Sequence, residues 1–61
     1  MYYSTWDWYE YKLIDVDNVI TFPSGVFSDF NFALESAMED VLSAETPVAI
    51  VEVYLESEEL L

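Results

Sequence analysis

The sequence predicts an α+β fold in which a three-stranded sheet carries one helix packed across it, in the order ββαβ. Three observations predict this fold. Aromatic and β-branched residues are concentrated near the N-terminus, apolar residues recur at helical spacing in the middle, and an apolar run that becomes acidic closes the chain. With 61 residues there is room for one domain, so we treat 1-61 as a single domain.

The first strand is predicted over residues 6–14, WDWYEYKLI, which has the composition of a strand. In its second half, charged residues separate apolar ones: Tyr9, Tyr11 and Leu13 alternate with Glu10 and Lys12. Trp6 and Trp8 have the opposite parity, which predicts either a bulge near Trp8 and Tyr9 or a strand buried on both faces. Residues 15–18 (DVDN) form turns readily and 19–22 (VITF) follow as a short strand, so the two strands form a hairpin.

The helix is predicted to begin after Ser28, which is a good N-cap residue, with Asp29 in the first turn. Phe27 and Phe32 have the spacing of a hydrophobic staple around that cap. The predicted apolar stripe consists of Phe30, Ala33, Leu34, Ala37, Met38, Val41 and Leu42. Pro47 ends the helix, because the residue before a proline disfavours the α region.

The last strand is predicted over residues 48–56. Alternation assigns one set of side chains to the core: Ala49, Val51, Val53 and Leu55. It assigns the others to the opposite face: Val48, Ile50, Glu52, Tyr54 and Glu56. Because the first half is apolar on both sides, we expect a central strand or one covered by another subunit.

The composition indicates a folded domain of marginal stability. The chain is 54% hydrophobic and 18% aromatic, which is too apolar for a disordered acidic tail. It contains no cysteine and no histidine, so disulfides and the usual zinc site are excluded. Small domains without such links often associate with a second subunit, so we expect a homodimer.

The charge is extreme for this length. Thirteen acids and one base, Lys12, give a formal net charge of -12, whereas solubility needs a magnitude of roughly 2 to 8. Such a surface repels nucleic acid and anionic membranes and attracts basic clefts. Adaptation to high salt is the alternative explanation of the acids. We expect a protein partner with a basic cleft, and no direct binding to nucleic acid or membrane.

Several function classes fit this sequence poorly. No apolar run approaches the length of a membrane span and no signal peptide is visible, which predicts a soluble intracellular protein. Without histidine, cysteine or arginine, the chain lacks most catalytic side chains, so we expect no enzyme and no cofactor. Residues 15–18 resemble the start of a calcium loop, but Ile20 and Val26 replace the glycine and glutamate that the loop requires. We expect no metal site.

The candidate partner-binding residues are acids at regular spacing together with aromatic anchors. On a strand, residues two apart are separated by roughly 6.6 Å, and on a helix residues four apart by about 6 Å, close to the spacing of neighbouring phosphates in a nucleic-acid backbone. The acids are Glu35, Glu39, Asp40, Glu52, Glu56, Glu58 and Glu59, and the aromatic anchors are Trp6, Trp8 and Tyr54. An ordinary solvated surface is the alternative for the acids, and core or dimer packing is the alternative for the aromatic residues.

In size, acidity and ββαβ order the chain resembles the small acidic proteins with which bacteriophages block host DNA-acting enzymes. These are uracil-DNA glycosylase inhibitors, anti-restriction proteins and some anti-CRISPR proteins. One type of glycosylase inhibitor carries a Glu-Ser step on an exposed strand, and Glu56-Ser57 is similar, as is Glu35-Ser36 on the helix. The resemblance implies a non-catalytic DNA mimic in the cytoplasm of an infected bacterial host. Two alternatives remain: a homodimeric interaction module, and a phage inhibitor of a host polymerase or signalling protein that does not imitate DNA.

Overall fold

The computed structural model describes residues 4–60 and confirms the α+β class, with one helix on a three-stranded antiparallel sheet. The elements are β1 (Ser4–Asp15), β2 (Ile20–Thr21), α1 (Phe30–Ser43) and β3 (Val48–Leu60). The strand order is β2-β1-β3, and both pairs are antiparallel. Within the described residues β3 is therefore an edge strand, and the expectation that it is central is wrong for the single chain.

The predicted turn joins β1 to β2, and the Asp15 carboxylate holds it. Asp15 Oδ1 accepts hydrogen bonds from the backbone N–H of Asp17 at 2.8 Å and of Val19 at 3.0 Å. Asn18 has a φ of 64°, in the left-handed region that asparagine tolerates better than most residues. β2 is shorter than predicted because Pro23 follows Phe22 closely and lacks the N–H needed to continue the ladder.

The helix N-cap is Asp29, and the prediction of Ser28 is wrong. Asp29 has extended backbone angles, and its Oδ2 accepts from the N–H groups of Asn31 at 3.0 Å and Phe32 at 3.3 Å. A carboxylate is favoured at this position because the helix N-terminus carries partial positive charge. The staple is wrong as well, since a cap at Asp29 shifts both of its positions by one and Phe32 is 63% exposed.

Asp29→Ala is expected to lower the free energy of unfolding by about 1 kcal/mol, because two helix N–H groups lose their acceptor. Urea unfolding followed by circular dichroism measures the change. The matched control is Ser28→Ala, one residue earlier, which should stay within about 0.5 kcal/mol of the parent protein. A larger loss in Ser28→Ala than in Asp29→Ala would contradict this assignment of the cap.

The core lies between α1 and the face of the sheet that carries Tyr11 and Leu13. Ala33 and Ala37 are both fully buried, Ala37 in one cluster with Tyr11 and Leu13, and these small side chains let the helix approach the sheet closely. Partly buried residues complete the cluster: Phe27, Val41, Val48, Val51 and Val53. The predicted stripe is only partly buried, because the helix meets the sheet through its small residues. Its large members Phe30, Leu34, Met38 and Leu42 remain exposed.

A bulge in β3 reverses which side chains face the helix. Ile14 pairs with Ile50 and Asp15 pairs with Val48, so Ala49 is the extra residue. Val48 consequently joins the core and Ala49 is exposed, the reverse of the predicted assignment. The bulge predicted near Trp8 is absent, because pairing is regular there and the register shifts only after Ile14.

The molecule is elongated, with principal extents of 49 × 20 × 14 Å. Its radius of gyration is 13.9 Å, whereas a compact domain of this length is expected to have about 10.5 Å. The elongation arises because β1 and β3 continue beyond the helix as a two-stranded ribbon. We call this ribbon the arm, and it consists of residues 4–8 and 56–60.

Candidate partner-binding face

The sheet face opposite α1 has no covering layer within the described residues, and we call it the open face. Directly paired residues of an antiparallel ladder lie on the same face. Because Tyr11 and Leu13 face the helix, the even-numbered residues of β1 and their partners face away from it. The open face contains the pairs Trp6/Glu58, Trp8/Glu56, Glu10/Tyr54, Lys12/Glu52 and Ile14/Ile50.

Two neighbouring tryptophans form the aromatic part of the open face, at the arm. The ring centroids of Trp6 and Trp8 are 5.0 Å apart with an interplanar angle of 45°. Trp6 is 52% exposed, and Trp8 is half-buried. Glu58 and Glu56 lie directly across the ladder from them and are exposed. The result is a partly exposed aromatic pair bordered by carboxylates.

Hydrogen bonds and an ion pair order the middle of the open face. Trp8 Nε1 donates to Glu10 Oε2 at 2.8 Å, which fixes the indole ring against the strand. Lys12 Nζ lies 3.1 Å from Glu52 Oε2 on the paired strand. Lys12 is the one base in the sequence, and it is engaged by a carboxylate of its own chain. The other acids of this face therefore have no lysine or arginine of this chain to pair with.

The far end of the open face is apolar and uncharged. Ile14 pairs with Ile50 on one side and with Ile20 on the other, so the three side chains are neighbours on one face. Ile20 and Ile50 are each about half exposed. The open face thus has an acidic, aromatic end at the arm and an isoleucine end near β2.

The structure divides the predicted acids between different surfaces. Glu52, Glu56 and Glu58 lie on the open face, whereas Glu59 pairs with Thr5 and lies on the other face of the arm. Glu35 and Glu39 line a shallow groove on the helix side of the sheet, whose other walls include Val26, Phe27 and Phe32. The strand acids and the helix acids therefore do not form one continuous row.

Asp40 is half-buried, and the phenol of Tyr11 donates a hydrogen bond to its Oδ2. Since the single phenol proton goes to Asp40, the Ser36 hydroxyl donates to the Tyr11 oxygen, at 3.1 Å. Burial is the largest influence on the pKa of Tyr11 and raises it. The hydrogen bond to Asp40 raises this pKa further, and the bond from Ser36 partly opposes the rise. Asp40 thus connects helix to sheet.

Sequence reasoning missed Glu10 and the three isoleucines of the open face. Alternation along β1 could have identified Glu10. Trp6, Trp8 and Glu10 are all even-numbered residues of one regular strand, so they lie on the same face. The isoleucines come from three strands, so only the pairing register brings them together. Within residues 4–60 no three acidic side chains are grouped so as to hold a metal ion. The same part of the chain contains no helix long and apolar enough to cross a membrane.

Comparison with protein-family models, with curated protein sequences and with solved structures finds no match to this chain.

Proposed function

We propose that the protein is a non-catalytic acidic inhibitor that occupies the basic nucleic-acid-binding cleft of another protein. The observation that supports this proposal is the partly exposed pair Trp6 and Trp8, bordered by Glu56 and Glu58 on the open face. Tryptophan is among the residues most enriched at the energetic centres of protein interfaces. Carboxylates around it would select a partner surface rich in lysine and arginine.

The spacing of the strand acids suits a surface that normally binds phosphates. Glu56 and Glu58 are separated by one residue, so they are roughly 6.6 Å apart along the strand. A net charge of -12 adds long-range attraction, which speeds association with a basic cleft at low salt. We propose that the protein acts in the cytoplasm of a phage-infected bacterium. Enzymes of DNA repair, restriction and CRISPR immunity, which bind nucleic acid, act in that compartment.

A narrow, elongated shape also supports insertion into a cleft. The shorter two extents are 20 and 14 Å. The arm projects beyond the helix and presents the tryptophans near one end of the molecule, where a partner groove can reach them.

The proposal is tested by capture from a bacterial lysate followed by competition with duplex DNA. We expect the retained protein to bind nucleic acid, and DNA to displace it from the immobilised chain. Affinity should fall steeply between about 50 and 200 mM salt. The double variant Trp6→Ala/Trp8→Ala serves as the matched immobilised control, and it should retain much less. A retained protein that DNA does not displace would overturn the proposal.

The isoleucine end of the open face favours a second candidate function, which is docking to an apolar surface without DNA mimicry. Ile14, Ile20 and Ile50 form a neutral patch that a host polymerase, a signalling protein or another subunit could cover. Binding through this patch should change little with salt, because it involves no charged side chain. Substituting Ile20→Gln would then weaken binding more than changing the tryptophans does.

A further inference from the structure

No strand within residues 4–60 pairs with the outer edge of β3, so among these residues every second one along that edge has free backbone hydrogen-bonding groups. Tyr9 exchanges backbone hydrogen bonds with Phe27, at 2.7 and 3.0 Å, so its N–H and C=O point away from β3. Its ladder partner Leu55 is therefore in a non-hydrogen-bonded pair, and the N–H and C=O of Leu55 point to the outer edge. By alternation, the same holds for Val53 and Val51.

A flank of large apolar side chains on α1 lies above this edge. The opposite flank of the helix, with Phe32, Ser36 and Glu39, lines the groove beside the 26–28 segment, which pairs with the other edge of β1. Helical periodicity then directs the remaining flank toward β3. We call it the β3-side flank, and its residues Phe30, Leu34 and Met38 are 45%, 38% and 48% exposed.

We propose that a second copy of this chain pairs along the edge of β3, antiparallel to it, around a two-fold axis at Val53. The two sheets then form one six-stranded sheet, β2-β1-β3-β3-β1-β2, with both helices on the same side. Symmetric association through one self-complementary surface is the commonest form of oligomer. It also pairs an edge strand of 13 residues, which is otherwise a template for aggregation.

The placement of acids on β3 favours this register. Around Val53, Glu52 lies opposite Tyr54 of the second copy, Glu56 opposite Ile50 and Glu58 opposite Val48, so no two acids are directly paired. Moving the axis by one residue to Glu52 would place that glutamate opposite itself, and moving it to Tyr54 would pair Glu52 with Glu56. Like charges directly opposite each other destabilise a sheet. An axis at Val51 also avoids acid pairs, but it pairs less of the strand.

The β3-side flanks fit the same axis. The Phe30 ring contacts the Tyr9 ring with centroids 5.8 Å apart, which places Phe30 level with Leu55. At about 1.5 Å per helical residue and 3.3 Å per strand residue, Leu34 lies about level with Val53 and Met38 with Val51. The axis therefore opposes Leu34 to its own copy and Phe30 to Met38 of the second copy.

The distance between the two helices explains why the large side chains lie on this flank. α1 packs over β1 and β3, and strands are about 4.8 Å apart, so the symmetry-related helix axes would be roughly 10–14 Å apart. Helices in contact are typically about 8–10 Å apart. Phe, Leu and Met are long enough to fill the wider spacing, whereas alanines such as Ala33 and Ala37 suit only the close contact with the sheet.

The chain exposes more surface than a compact monomer of its mass. A monomeric protein of 7.1 kDa is expected to expose about 4,100 Å², and this chain exposes 4792 Å². The excess follows from its elongated shape, which leaves the edge of β3 and the β3-side flank accessible to a second copy. Pairing with a second copy also stabilises the arm. An isolated two-stranded ribbon is only marginally stable, and in the dimer Glu56 and Glu58 lie beside the strand of the second copy.

Leu55→Pro tests the edge pairing. Proline removes the outward N–H of residue 55 but leaves the ladder between β1 and β3 intact, because that N–H does not bond to β1. Analytical ultracentrifugation of the full chain should show a dimer at micromolar concentration, and Leu55→Pro should weaken it at least about tenfold. The matched control is Leu55→Ala, which shortens the side chain and keeps the N–H; it should weaken the dimer much less.

A second pair of variants tests the flank and remains decisive if Leu55→Pro fails to fold. Leu34→Gln/Met38→Gln should weaken the dimer at least about tenfold. The control Phe32→Gln/Leu42→Gln changes two exposed residues away from the β3-side flank and should leave the dimer unchanged. A monomeric parent protein, or equal dimerisation of the two double variants, would overturn the proposal.

Salt distinguishes this inference from the proposed function. Two chains of charge -12 repel each other, so added salt should strengthen the dimer. The same salt should weaken binding to a basic cleft. A monomer that still binds a basic partner would overturn only the dimer, and a dimer that binds none would overturn only the inhibitor. If a basic extended peptide pairs with β3 in place of a second copy, its binding will weaken with salt, and the two-fold proposal fails.

Discussion

Replacing Tyr11 with phenylalanine is expected to lower the free energy of unfolding by about 2 kcal/mol, measured by urea unfolding. Tyr11 is 5% exposed, and its phenol connects the sheet to Ser36 and Asp40 on the helix. Phenylalanine keeps the ring in the core but leaves the half-buried Asp40 carboxylate without this donor. A domain of this size rarely has more than about 3–5 kcal/mol of stability, so the loss is a large fraction of the total.

Tyr9→Phe is the matched control for this change. Tyr9 lies two residues earlier on the same face of β1, and its ring packs against that of Phe30 in a T-shaped arrangement. Among the described residues its hydroxyl has no hydrogen bond to another side chain, so losing it should alter the free energy of unfolding by less than about 0.5 kcal/mol. If the two variants were equally stable, the connection between Tyr11 and Asp40 would make no net contribution to folding.

The same phenol predicts how stability changes at alkaline pH. Burial and the Asp40 hydrogen bond raise the pKa of Tyr11 in the folded protein above the usual tyrosine value of about 10. The folded state therefore keeps this proton at a pH where the unfolded chain has begun to lose it. The contribution is fully present below the unfolded pKa and is lost as pH rises through the folded pKa. Stability should fall above about pH 10 in the parent protein, and less steeply in Tyr11→Phe. Parallel pH profiles for the two proteins would contradict this.

The sequence was sufficient to predict the elements of the fold because each has a strong local signal. Alternation in β1, helical spacing in α1 and the apolar run of β3 lie within single segments. The errors occurred where neighbouring residues compete for one role. Ser28 and Asp29 are both good caps, and only the backbone angles identify Asp29. The bulge at Ala49 could not be predicted from its own segment either, because a bulge depends on the pairing with the partner strand.

The candidate site was predictable in its residue types but not in its arrangement. Parity alone separates Trp6 and Trp8 from the helix-facing residues of β1. Their acidic neighbours Glu58 and Glu56, however, are about fifty residues away along the chain, and the β1–β3 register brings them alongside. Asp40 shows the same limit. A charged residue on a helix is expected to face solvent, and only the structure reveals that Asp40 accepts a hydrogen bond from Tyr11.

Neutralising the acids of the open face is expected to weaken binding to the basic partner more than neutralising those of the helix. Glu56→Gln/Glu58→Gln removes the carboxylates beside the tryptophans, and we expect a loss of affinity of about tenfold or more. Glu35→Gln/Glu39→Gln removes the same number of charges from the other side of the sheet and should cost less than about threefold. Binding is measured by titrating the captured basic protein and following tryptophan fluorescence.

The comparison is informative because both double variants change the net charge equally. Long-range attraction depends mainly on total charge, so it falls by about the same amount in each. Any excess loss in Glu56→Gln/Glu58→Gln therefore reports direct contact at the open face, and it should be accompanied by a smaller dependence on salt. Should the helix variant lose more affinity, the groove beside Glu35 and Glu39 would be the contact surface. Equal losses would mean that the acids act only through net charge, and that the tryptophans alone determine where the partner binds.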